Sequence, residues 1–245
     1  MKFFFENFLI INFSCTFVEK INITKKQIIM MKWSDKAWQA TEKIYNEIIN
    51  LSFIKDLMNG VLSDERFNFY LVQDALYLND YSKLLMNIAV KLQKPEHIEA
   101  FLKFAEDGIA VERALHASFL KGYIPSKSEM TPTCKLYTSY LISSLTHPRI
   151  EISLAAALPC FWIYQKVGEY IYANSKENNK FQNWINAYSE EAFLISVQKA
   201  IDICNEMAAD CNEKLQSEMI DAFIWASKME WMFWDSAYKL EKWAI

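Results

Sequence analysis

Three side chains in this sequence combine a reactive group with a place on an apolar helical face: Asp74, Cys160 and Glu230. Phe67, Tyr70, Asp74, Tyr77, Tyr81, Leu84 and Ile88 recur at helical steps, which sets Asp74 inside an aromatic strip with Tyr77 one turn beyond. Phe223, Ser227, Glu230, Phe233, Trp234 and Ala237 do the same for Glu230. A carboxylate in such a strip must find a hydrogen-bonding partner, because an unpaired charge in apolar surroundings is strongly unfavourable. Burial also raises a carboxyl pKa, so Glu230 reads as a proton donor near neutral pH. The plainer alternatives are an Asp74 tied to a neighbouring tyrosine or backbone group, and a Glu230 that reaches water or a lysine. Cys160 lies in Leu158-Pro159-Cys160-Phe161-Trp162-Ile163-Tyr164, after Ala155-Ala156-Ala157. Pro159 removes a helical hydrogen bond and can free backbone groups to face a cavity, and Tyr164 one turn later can set a hydroxyl beside the thiol. Without such company a buried cysteine is a small hydrophobe, the reading given to Cys134, Cys204 and Cys211.

Metal chemistry has less to work with. Glu112 and His116, four residues apart, offer two ligands, but di-iron bundles use Glu-x-x-His twice with further carboxylates, and a second pair is missing. His97, His116 and His147 make no His-x-x-x-His pair, and the five cysteines make no Cys-x-x-Cys, so no metal is expected. With 8 Trp, 12 Tyr and 17 Phe, most rings must be core and a few are left to line a cleft. Stacking aromatics with two carboxylates and a thiol suit a flat, nitrogen-rich heterocycle.

Long helices are the elements that must hold these groups. Gly and Pro number only 4 and 5 in 245 residues, too few for the hairpins of a sandwich or barrel. Ala37, Thr41, Ile44, Ile48 and Leu51 mark a first amphipathic helix with Ser34 as its N-cap. The same period returns over 65–92, 97–120, 133–146, 151–174, 190–213 and 216–242, with glycine or proline in the earlier gaps. No linker or repeat divides them, so the expected fold class is all-α, a single-domain multi-helix bundle spanning 31–245. Residues 1–30 read as an extension or misplaced start outside that fold, the alternative being a poor targeting signal. Isolated glycines exclude Gly-rich phosphate loops, and a formal charge of -4 gives no footprint for nucleic acid. An odd cysteine count in a core-rich chain fits a reducing, cytoplasmic setting.

Three segments in order carry a family resemblance: Tyr70-Leu71-Val72-Gln73-Asp74-Ala75-Leu76-Tyr77-Leu78, the run from Leu158 to Tyr164, and Glu230-Trp231-Met232-Phe233-Trp234-Asp235-Ser236-Ala237-Tyr238. With Asn59-Gly60 before them and Tyr137 and Trp184-Tyr188 between, the chain from about Trp33 to Trp243 resembles the TenA/thiaminase II family, in its cysteine-bearing branch. The resemblance implies a haem-oxygenase-like helical fold without haem, a homotetramer, no cofactor, and no nucleic-acid or membrane partner. It implies a small-molecule pyrimidine substrate, hydrolysed at its methylene: thiamin, or 5-aminomethyl-2-methylpyrimidin-4-amine in salvage. Cys160 would be the nucleophile and Glu230 the acid/base carboxylate. Asp74 would hold the pyrimidine, while Tyr77, Tyr137, Tyr164 and Tyr188 line the pocket. The chain departs from the family at Ser52-Phe53, where many members carry His-Pro-Phe. A non-catalytic pyrimidine-binding or regulatory protein and a di-iron oxygenase on the same scaffold stand as alternatives.

Overall fold

The computed structural model describes residues 31–118, 120, 123–187 and 191–245. Residues 1–30, Tyr188 and the side chains of Glu112 and His116 lie outside the described residues, and with them the expectations for those positions. Among the described residues there are nine α-helices and no strand: α1 (Trp33–Ile49), α2 (Ser52–Met58), α3 (Asp64–Lys91), α4 (Pro95–Ser118), α5 (Pro132–Ser144), α6 (Ile150–Asn174), α7 (Gln182–Ala187), α8 (Glu191–Ala209) and α9 (Glu213–Lys239). The all-α expectation holds, and no described helix is long and apolar enough to cross a membrane.

Local chemistry sets the helix starts. Ser63 accepts from the Arg66 N–H to open α3, Thr131 accepts from Cys134 ahead of α5 with Pro132 in the first turn, and Asn212 accepts from Leu215 to open α9. The first helix departs from expectation. It begins at Trp33, so Ser34 is inside the first turn rather than capping it. Its free N–H is satisfied from far away: Ser34 N donates to Asn205 Oδ1 at 2.9 Å, and Asn205 Nδ2 donates back to Ser34 Oγ at 3.0 Å. The last helix ends at Lys239, short of the expected 242, because Leu240 turns left-handed at φ 52° and ψ 51°. Helices α2 and α7 are additions, too short to show a period in sequence; α2 still buries Phe53, Ile54, Leu57 and Met58.

The core gathers around α9, which packs against α6, α1, α3, α5 and α2. Ala155, Ala156 and Ala157 on α6 and Ala222 and Ala226 on α9 are all buried, and such small side chains let two helices approach closely. Where α2, α3 and α9 meet, Tyr70 stacks on Trp234 with centroids 4.9 Å apart and planes 10° apart, and Phe53 leans on both. Helix α6 runs unbroken through Pro159, and the carbonyl of Ala157 accepts a 2.8 Å hydrogen bond from the Tyr81 hydroxyl.

Candidate active site

Helix α3 brings Asp74, Tyr77 and Tyr81 to one face, and α5, α6 and α9 contribute Tyr137, Cys160 and Glu230. Asp74 is 3% exposed, and its Oδ2 has no hydrogen-bond partner among the described residues. Burial pushes its carboxyl up to about 7, against the Tyr70 hydroxyl, which favours the charged form. Glu230 is 1% exposed, and its Oε1 accepts from the Tyr137 hydroxyl at 2.6 Å. Burial raises Glu230 to about 8; Tyr137's bond opposes the rise and the nearby Asp74 charge adds to it. Asp74 and Glu230, on separate helices, are therefore close enough to feel one another.

Cys160 sits deep in the bundle and is partly rather than fully enclosed. Burial drives its thiol well above the ordinary range, and the charges of Glu230 and Asp74 push the same way. Tyr77 and Tyr81 bear on the sulfur from α3 and oppose the rise. Among the described residues the Tyr77 hydroxyl has no hydrogen-bond partner at bonding distance. Its ring stacks on Tyr81 at 5.4 Å and lies 4.9 Å from Tyr137. The thiol therefore rests protonated at neutral pH.

The expected residues thus come together as a group: Asp74, Tyr77, Tyr137, Cys160 and Glu230. Tyr164 is buried, but its hydroxyl lies 3.4 Å from that of Tyr70 and its ring 5.0 Å from Trp234. Tyr81 belongs at the sulfur, although in the sequence it is only one more member of the apolar stripe; its place four residues after Tyr77 is the available signal. Cys134 and Cys204 are fully enclosed; burial drives the first thiol far up and the second up to about 12, which fits inert core cysteines. Among the described residues no cluster of three His, Cys, Asp or Glu side chains is placed to hold a metal ion.

A family model described as "TENA/THI-4/PQQC family" matches residues 38–240. The chain belongs to this family. It is 28% identical over 219 residues to an aminopyrimidine aminohydrolase of Bacillus subtilis (strain 168), covering 87% of this chain and 93% of that one. A Helicobacter pylori protein of the same name is 26% identical over 216 residues, covering 85% of this chain and 100% of that one. Among solved structures, a TenA homologue protein from P. horikoshii OT3 superimposes with a TM-score of 0.74 at 25% identity, covering 85% of this chain and 99% of that one. The fold is accordingly the haem-oxygenase-like bundle of TenA homologues, as the resemblance implied.

Proposed function

We propose that this TENA/THI-4/PQQC family member is an aminopyrimidine aminohydrolase of thiamin metabolism. It converts 5-aminomethyl-2-methylpyrimidin-4-amine, and thiamin, to 4-amino-5-hydroxymethyl-2-methylpyrimidine with Cys160 as nucleophile. The relatives named aminopyrimidine aminohydrolase support the reaction class. The observation that carries the chemistry is a buried Asp74 with an oxygen that has no hydrogen-bond partner among the described residues, grouped with the deep thiol of a partly enclosed cysteine and a carboxyl that holds its proton near neutral pH.

Asp74 Oδ2 accepts from the exocyclic amine of the pyrimidine, and the carboxyl group aligns the ring. The Cys160 sulfur then adds to the ring carbon next to the one bearing the methylene. The new carbon–sulfur bond drives electron density onto ring nitrogen, where Glu230 delivers a proton. Because Glu230 is protonated up to about pH 8, it is ready to donate before attack begins. The thiol proton passes to the departing amine, or to water where thiazole departs, as the ring electrons expel it; water then adds its oxygen to the exocyclic carbon and returns a proton to Glu230, and as aromaticity returns the sulfur leaves and takes up the proton released from ring nitrogen. Tyr137 holds Glu230 in place through its 2.6 Å bond, and Tyr77 and Tyr81 lie against the sulfur.

The test is ammonia release from the aminomethylpyrimidine by wild type and Cys160→Ala, with helicity checked by circular dichroism. A folded variant that turns over at the wild-type rate would sink the proposal. Comparing turnover on thiamin and on the aminomethylpyrimidine assigns the preferred substrate.

A further inference from the structure

Beyond Lys239 the chain folds back over the start of α5. Leu240 adopts the left-handed region, a conformation kept by a non-glycine residue only where its surroundings hold it. The turn aims Glu241 at α5: Oε2 accepts from Thr133 N at 2.9 Å and Oε1 from Thr133 Oγ1 at 3.0 Å. Glu241 N donates back to Ser236 O at 3.0 Å, and Trp243 Nε1 donates to Met130 O at 2.9 Å. A carboxylate on the first-turn N–H of a helix is well placed both for its free donors and for the helix dipole.

Thr133 and Tyr137 are four residues apart on α5 and so share a face. Helix α5 is consequently fastened to α9 and its tail at three levels, by Glu241 on Thr133 at its first turn, by Glu230 on Tyr137, and further along by the Tyr140 hydroxyl, which donates to Ala222 O at 3.2 Å. The loop before α5 is tied to α3 as well: Thr131 N donates to Gln73 Oε1, and Gln73 Nε2 to Glu129 O, both at 2.9 Å, one residue from Asp74.

We propose that Glu241 is a positioning residue, pinning the first turn of α5 to the end of α9 and thereby fixing where the Tyr137 hydroxyl meets Glu230. It touches no reacting atom. Without it α5 can slide or rotate, and a hydrogen bond of 2.6 Å tolerates little of either. The titratable groups that face Glu230 are Asp74, Tyr77 and Tyr81 from α3, Tyr137 from α5 and Cys160 from α6. Of these, Tyr137 favours the charged carboxylate, so loosening it lets burial carry Glu230 higher.

This inference rests on the reading of Glu230 as the acid, and its test uses two readouts so that the two can fail separately. The first is a carbon-13 NMR titration of the Glu230 carboxyl, assigned by its disappearance in Glu230→Gln; the second is the pH profile of kcat/KM on the aminomethylpyrimidine. In Glu241→Gln the Glu230 titration should move up by roughly half a pH unit to one. Tyr137→Phe should move it the same way, the double variant should go no further than Tyr137→Phe alone, and Glu241→Asp should restore part of the wild-type value. If Glu241→Gln does not fold, Thr133→Val, which removes one of the two donors, takes its place in the same series. A lowered melting temperature with an unmoved Glu230 titration, or a displacement that adds in full to that of Tyr137→Phe, would overturn the inference. A displaced titration in a protein that turns over no aminopyrimidine would leave the positioning role standing and overturn the reaction.

Discussion

Two groups of carboxylates in this bundle behave in opposite ways. At one end Glu206 bonds to Lys94 and, at 2.9 Å, to His97 Nε2, while Glu151 faces Arg149 at 2.7 Å. Hydrogen bonds from Lys94 and then His97 hold Glu206 below the usual carboxylate range. Burial pushes Glu151 upward, yet the bonds from Arg149 and from its own backbone outweigh it and leave its carboxyl low. In the site, the described polar neighbours of Asp74 and Glu230 are phenols, a thiol and each other, and burial carries them to about 7 and about 8. The difference is the partner, not the acid. A cation makes a carboxylate a fixed charge that braces helices; with no described cation opposite it, the same group exchanges a proton in the physiological range.

The sharpest way to break this contrast is to remove the groups on the proton-exchanging side. Cys160→Ala is expected to abolish ammonia release while urea unfolding stays close to wild type. Glu230→Gln, which keeps shape and loses the proton, should lower kcat by roughly 10² to 10⁴, read in steady-state kinetics. Asp74→Asn should act mainly on binding and raise KM more than it lowers kcat.

Stability against pH sharpens the same contrast, with opposite signs in the two regions. For Asp74 and Glu230 the folded pKa lies above the unfolded one, which is near the ordinary 3.8 and 4.5. Their favourable contribution is complete below about pH 4 and is lost as pH rises to 7 and 8. Each pH unit between the unfolded and folded values is worth at most about 1.4 kcal/mol. Urea unfolding from pH 4 to 9 should therefore show Glu230→Gln gaining on wild type at the alkaline end. Glu151 runs the other way. Its folded pKa is depressed, so its contribution is present above the unfolded value and fades as pH falls through the folded one. Arg149→Ala should weaken the protein near neutrality and flatten the acid limb, by less than the site variants change the alkaline one, because the Arg149 side chain is 50% exposed.

The sequence exposed what repeats and hid what depends on distant partners. Asp74 and Glu230 were legible because a charged residue interrupting an aromatic stripe is visible in the period itself, and Cys160 because Pro159 and Tyr164 mark its neighbourhood. Tyr81 was hidden in plain view: a tyrosine on an apolar stripe looks like core until Cys160 is placed opposite it. The state of the thiol was not legible at all, since it turns first on how deeply the bundle buries it and then on how near Glu230 and Asp74 come, and they are far apart along the chain. Ser34 and Glu241 teach the same lesson in helix capping. Their partners, Asn205 and Thr133, lie 171 and 108 residues away, beyond the reach of any local rule.

The stacked pair of Tyr70 and Trp234 has an optical consequence. Trp234 is shut away from water, and its neighbour's hydroxyl bears on Asp74, so an indole sits one ring away from the carboxylate proposed to receive the heterocycle. A flat molecule arriving there should change the emission of that indole, which gives the protein an intrinsic fluorescent gauge of occupancy without an added label.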